Sequence, residues 1–194
     1  MIWPSKVVKK IVGGMSTVAA GVMKSCFPDD ATGHSIHRTG ILLRHNRAEV
    51  SIRCRFAAWL ADEKALKDVA SCKGASGNKP CVACLNVVGR RVPGGDGNLV
   101  HVTCSDETKF VPNTPATLAH MADDLVAKHG VIRRAEFGKL EMCYGLKYEP
   151  NAILFNAYLR DMAALPGSLY WDWMHCLVAS GGSAQYQCNC LLAQ

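Results

Sequence analysis

The feature that most constrains this chain is its stretch from Cys72 to Cys104. It contains six glycines and two prolines and shows no helical or strand periodicity. A structureless segment of about 30 residues is rare inside a compact domain unless something else organises it. The same stretch carries Cys72, the pair Cys81 and Cys84 in C-x-x-C spacing, and then His101 and Cys104. Two thiolates on one tight turn suit a tetrahedral zinc, with Cys72 and either Cys104 or His101 closing the shell from the two ends of the loop. Zinc binding can contribute on the order of 10 kcal/mol to folding a loop too polar to bury a core. The expectation is therefore a structural Zn2+ held by Cys72, Cys81, Cys84 and one of His101 or Cys104, with Lys79 close enough to steady the thiolates. A redox C-x-x-C is a weaker account, because that motif opens a helix after a strand, whereas this one lies in mid-loop.

Four of the six remaining cysteines support the same picture. Of ten cysteines, Cys26, Cys54, Cys143 and Cys176 stand singly among apolar neighbours, as small buried hydrophobes usually do. Neither a secretory leader nor a membrane span is legible, since the apolar run over 7–23 is interrupted by Lys9, Lys10, Gly13 and Gly14. These features predict a reducing, intracellular setting and no membrane partner.

Around the loop, the pattern is mixed. Residues 7–23 predict an apolar helix and 39–45 a strand. Strict alternation over 49–59 puts Val50, Ile52, Cys54, Phe56 and Ala58 on one face, so a half-buried strand is expected, paired with the preceding one as a hairpin. A short helix over 64–71 turns Leu66 and Val69 inward. Thr114 with Pro115 marks the start of a helix that Gly130 stops, with Leu118, Met121, Ala122, Leu125 and Val126 as its apolar face. A second helix over 133–144 buries Phe137, Leu140 and Tyr144 and ends at Gly145, and a third is read over 159–165. The fold class is thus α/β, more closely α+β, over segments 1–71, 72–112 and 113–194.

Charge gives a weaker signal. Lys and Arg outnumber Asp and Glu by 22 to 16, a formal charge of +6. Arg44, Arg47, Arg53 and Arg55 alternate along the predicted hairpin and are candidates for nucleic-acid phosphates, although a solvated surface accounts for them equally well.

Two acidic positions also invite a chemical reading. Asp62 falls at the end of a predicted strand and just before a helix, where α/β folds place functional groups and where a carboxylate can hold Mg2+. From spacing alone, a helix cap is the simpler account. In Trp171-Asp172-Trp173-Met174-His175, the Asp and His lie one helical turn apart and share a face, suited to a metal or to orienting each other. An ordinary helix start with a satisfied His175 explains the same spacing.

Taken in order, Trp59-Leu60-Ala61-Asp62, the C-x-x-C loop over 72–84, Asn151-Ala152-Ile153-Leu154-Phe155 and Asp172-x-x-His175 resemble the catalytic core of DDE transposases. These are the RNase H-like cut-and-paste enzymes of the CACTA and hAT-related superfamilies. The resemblance runs over about 39–182 and rests on the order of the motifs. It implies a partial RNase H-like core with a β-hairpin, a zinc-stabilised loop and a helical insertion. Asp62 becomes the second catalytic Asp and a metal ligand, while Asp172 and His175 support the site. The intact protein would be nuclear, bind DNA, use Mg2+ for strand cleavage and joining, and leave room for a homo-oligomer. The family's first Asp and final Glu have no counterpart before Thr39 or after His175, so the chain is expected to be a piece of such an enzyme, inactive alone. The competing reading is a non-catalytic zinc module that contacts nucleic acid or protein. A third is a thiol oxidoreductase built on Cys81 and Cys84, which requires a depressed thiol pKa.

Overall fold

Helices, not a sheet, form the core of this α+β chain. The computed structural model describes residues 14–28, 36–45, 48–89 and 98–172. Among these are five α-helices and three two-stranded sheets. Helix α1 (Gly14–Cys26) turns Ala19, Ala20 and Met23 inward onto α2 (Glu63–Val69), which contributes Leu66 and Val69. Helix α3 (Pro115–Lys128) adds Leu118, Met121, Ala122 and Leu125, and α5 (Ala157–Ala163) adds Leu159 and Ala163. Ile153 and Leu154, fully buried in a 3-10 turn, join α1, α3 and α5 at the centre.

The helix ends follow local chemistry. The Thr114 hydroxyl accepts from the Thr117 amide at 3.1 Å while Thr117 Oγ1 accepts from the Thr114 amide at 2.9 Å, a reciprocal box with Pro115 inside it. Past the far end of α3, Gly130 takes φ +76°. Helix α4 (Arg134–Tyr144) ends where Gly145 turns left-handed at φ +69°. Phe137, Leu140 and Tyr144 are half-buried against the core. Val126, expected on the apolar face of α3, is instead 45% exposed, and Cys26, Cys54 and Cys143, expected to be buried, are exposed because apolar sequence neighbours do not by themselves supply a covering element.

The predicted hairpin forms and is shorter than expected. Strands β1 (Ile41–His45) and β2 (Ala48–Ile52) pair antiparallel with Ile41 opposite Ile52 and Leu43 opposite Val50. Its apolar face, Ile41, Leu43, Val50 and Ile52, is 41–53% exposed, so the half-buried strand over 49–59 is corrected on two counts. Alternation separates two faces but does not say that either is covered. Moreover, 53–58 leave the ladder, and β3 (Trp59–Ala61) pairs elsewhere, parallel to β6 (Leu169–Trp171).

The described parts of the glycine-rich stretch, 72–89 and 98–104, are largely irregular, as expected, and are tied down by hydrogen bonds. The Asn86 amide donates to the carbonyls of Asn98 (2.8 Å) and Lys109 (2.9 Å), and its oxygen accepts from the Val111 amide (2.9 Å). A minimal parallel pair, β4 (Val87–Val88) with β5 (Val100–His101), lies beside it. The C-x-x-C turn is clamped by Asn113, whose backbone and side chain donate to Ala83 and Val82, and by the Leu85 to Val111 bond. At its start, Cys72 bridges to Leu146, Lys73 donates to Gly145 and Asn78 to Met142. Backbone groups that would otherwise be orphaned are paired in this way. No helix among the described residues is long and apolar enough to cross a membrane.

Candidate functional site

Strands β3 and β6 run parallel in the register Trp59–Leu169, Leu60–Tyr170 and Ala61–Trp171. The next residue on each is an aspartate, Asp62 and Asp172, and the Asp172 amide donates to the Ala61 carbonyl at 2.9 Å. Neighbouring strands lie about 4.8 Å apart. The two carboxylates therefore leave equivalent positions at the C-terminal edge of one sheet, where α/β folds collect functional groups. Both residues are half-buried. Asp172 directly follows strand residue Trp171, and residues 173–175, on which its expected helical relation to His175 depends, lie outside the described residues.

Asp62 also caps α2. Its Oδ1 accepts from the Ala65 amide at 2.7 Å, so the simpler account of this residue holds and one carboxylate oxygen is committed. Glu63 is paired with Lys67 one turn on, which leaves Asp172 as the acid that the fold brings beside Asp62.

Three of the five expected zinc ligands share one neighbourhood. Cys81 lies within electrostatic reach of Cys72 and hydrogen-bonding reach of Cys84. Burial pushes the Cys72 thiol up to about 12; nearby Cys81 adds to this and Lys67 opposes it. Burial and then Cys81 push Cys84 up to about 11. These thiols cannot ionise together without a compensating cation. Lys79 is not among the groups that act on either thiol, and burial pulls its own pKa down while nearby Cys143 opposes this. Cys104 and His101 line an open cleft of about 870 Å3 with Asn86 and Lys109, to which neither Cys81 nor Cys84 contributes. Among the described residues, no group of three or more His, Cys, Asp or Glu side chains comes together closely enough to hold a metal ion. Cys72 and Cys84 each sense Cys81, but the three thiols are not assembled into a zinc shell, and neither His101 nor Cys104 is brought to them. A raised Cys84 is also the opposite of what a thiol oxidoreductase needs.

Of the candidate phosphate contacts, Arg44 forms an ion pair with its cross-strand neighbour Glu49 at 2.6 Å. Arg53 and Arg55 are exposed on the segment after β2, and Arg47 lies outside the described residues.

Spacing gave no sign of Asn86, whose role depends on carbonyls far along the chain, nor of the ring cluster around Tyr148. No protein-family model, curated protein or solved structure matches this chain.

Proposed function

We propose that this chain carries part of a Mg2+-dependent phosphodiester-processing centre of the DDE transposase type, with Asp62 and Asp172 as neighbouring carboxylates. The observation that carries the reading is their emergence, in register, from adjacent parallel strands. Two carboxylates on separate elements are the minimum such a centre uses, and a third acid is expected from outside the described residues. When bound, Mg2+ would lower the pKa of an attacking water or DNA 3′-hydroxyl and brace the leaving oxygen. The chain's own part is geometric. The β3–β6 pairing fixes the spacing of the two acids, and the Ala65 amide orients Asp62. Exposed Arg53 and Arg55 are available to DNA phosphates.

In the intact protein, Asp62→Ala and Asp172→Ala should each reduce strand cleavage by roughly 100-fold or more, as befits loss of several kcal/mol of transition-state stabilisation. DNA binding should be largely retained. Unchanged cleavage in either variant would remove the carboxylate pair from the chemistry.

The nearness of Cys81 to both Cys72 and Cys84 favours a second reading, a zinc-stabilised module that binds nucleic acid without cleaving it. Here Cys72, Cys81, Cys84 and either His101 or Cys104 would hold Zn2+ once the loop had tightened around it. This reading predicts salt-sensitive DNA binding by the isolated chain. Absence of binding at low salt would end it.

A further inference from the structure

Apart from the carboxylates and thiols, the structure holds an open cleft of about 450 Å3 lined by His129, Gly130, Ile132, Arg134, Phe137 and Tyr148. That volume lies within the range of small-ligand sites. Tyr148 is held on several sides. The His129 ring lies 4.5 Å from it at 34°, Phe137 meets it edge-on at 5.8 Å and 86°, and Phe155 packs at 5.0 Å and 74°. Its backbone amide donates to Glu141 at 2.7 Å. The rings therefore form a fixed platform, not loose surface residues.

The lining narrows the occupant. None of the six residues is acidic, and Arg134 contributes a permanent cation, with exposed Arg133 beside it in sequence. A cationic ligand, such as a methylated ammonium, would be repelled. An aliphatic ligand would find only Ile132 to cover it. A planar ring carrying a nearby negative charge satisfies both halves of the site: aromatic faces for the ring and a guanidinium for the charge. A base attached to its phosphate has that chemistry, and base-on-aromatic stacking beside basic groups is how single strands are held without sequence preference. In a duplex the faces of a base are covered by its stacked neighbours.

We propose that this cleft receives an unpaired base of a polynucleotide strand, stacked among Tyr148, His129 and Phe137, with its phosphate on Arg134. The proposal does not depend on the Asp62 and Asp172 pair, and its test involves no cleavage.

The test is fluorescence anisotropy of the full chain with a labelled oligothymidylate of about eight nucleotides, a length within the span of single-strand sites. Parallel probes are the same strand with every base removed and a duplex of equal length. The expected result is binding at least about tenfold weaker for the abasic strand, matching the 1–3 kcal/mol per stacked base seen on aromatic removal. Tyr148→Ala should lose that difference, and Arg134→Gln should weaken both strands. Should Tyr148→Ala fail to fold by circular dichroism, Tyr148→Trp carries the test and should keep the preference for bases. Equal affinity for the thymidylate and abasic strands would overturn the proposal, as would a duplex bound as tightly as the single strand. Free thymidine monophosphate competing as well as the strand would overturn its assignment to a polynucleotide.

Discussion

The backbone amide of Asp172 donates to the carbonyl of Ala61 at 2.9 Å. This one bond extends the β3–β6 ladder past its last paired residues and sets Asp172 beside Asp62. Everything proposed for the carboxylates depends on that extension.

Asn86 should be worth more to stability than its place in a glycine-rich loop suggests. It makes three hydrogen bonds to backbone groups of residues 98, 109 and 111 while itself buried. At about 1 kcal/mol per bond, with an added cost for the groups left unpaired, Asn86→Ala should destabilise by roughly 3 kcal/mol. Denaturant unfolding of the two proteins checks this, and a loss under about 0.5 kcal/mol, the level of an ordinary surface change, would contradict it.

Gly145 should tolerate no side chain. Its φ of +69° is left-handed, and a Cβ there would be driven into the carbonyl of Lys79. Gly145→Ala should cost well over about 1 kcal/mol, since strain and overlap act together. It should also loosen the start of the cysteine loop, where Lys73 donates to the Gly145 carbonyl. Hydrogen exchange at Lys73 and Asn78 reports that loosening.

The Tyr144 hydroxyl donates to Asp124 at 2.8 Å, and the pair should shape stability at both ends of the pH range. The Lys128 ammonium first, and then Tyr144, hold the Asp124 carboxyl below its usual range. A depressed carboxyl stabilises the fold above its unfolded pKa, near ~4, and that contribution is lost as pH falls through the folded value. Burial, then the Asp124 carboxylate, pushes the Tyr144 phenol from 10.0 up to about 12. Its contribution is intact below 10.0 and lost as pH rises toward 12. Tyr144→Phe should therefore flatten both limbs of the stability–pH curve. Unchanged limbs would show that the bond does not persist in solution.

Zinc should appear in the purified protein at about one ion per chain if the thiols close a tetrahedral shell. Cys81→Ser, which removes the thiol nearest both others, should lose most of it by elemental analysis. Comparing His101→Ala with Cys104→Ser identifies the fourth ligand by which variant loses metal. Metal content indifferent to Cys81 would dismiss the site. Because burial holds Cys72 and Cys84 protonated, affinity should rise with pH as zinc displaces those protons.

Much of the helical architecture was legible because its signals are local. Thr114, Pro115, Gly130 and Gly145 each act within a turn of their own position, and Leu66 and Val69 face inward as their spacing predicts. The sheet pairing was not legible. Trp59 meets Leu169 from the opposite end of the described chain, and no periodicity in either segment names the other. Asp172 directly follows the Leu169 strand, and the rest of its motif lies outside the described residues. The hairpin shows the limit of alternation: the pairing of its two strands was readable, but the exposure of Val50 and Ile52 was not. In the cysteine loop, thiol spacing draws the eye to metal, while Asn86 carries no spacing signal.

The most direct test of the carboxylate pair is paramagnetic broadening of backbone amide signals by Mn2+, a spectroscopic substitute for Mg2+. The account predicts that Ala61, Asp62 and Asp172 broaden together at the lowest Mn2+ concentrations, and that Asp62→Asn or Asp172→Asn abolishes the effect at all three. Broadening confined to one strand end, or first seen at the Asp123 and Asp124 surface of α3, would contradict it.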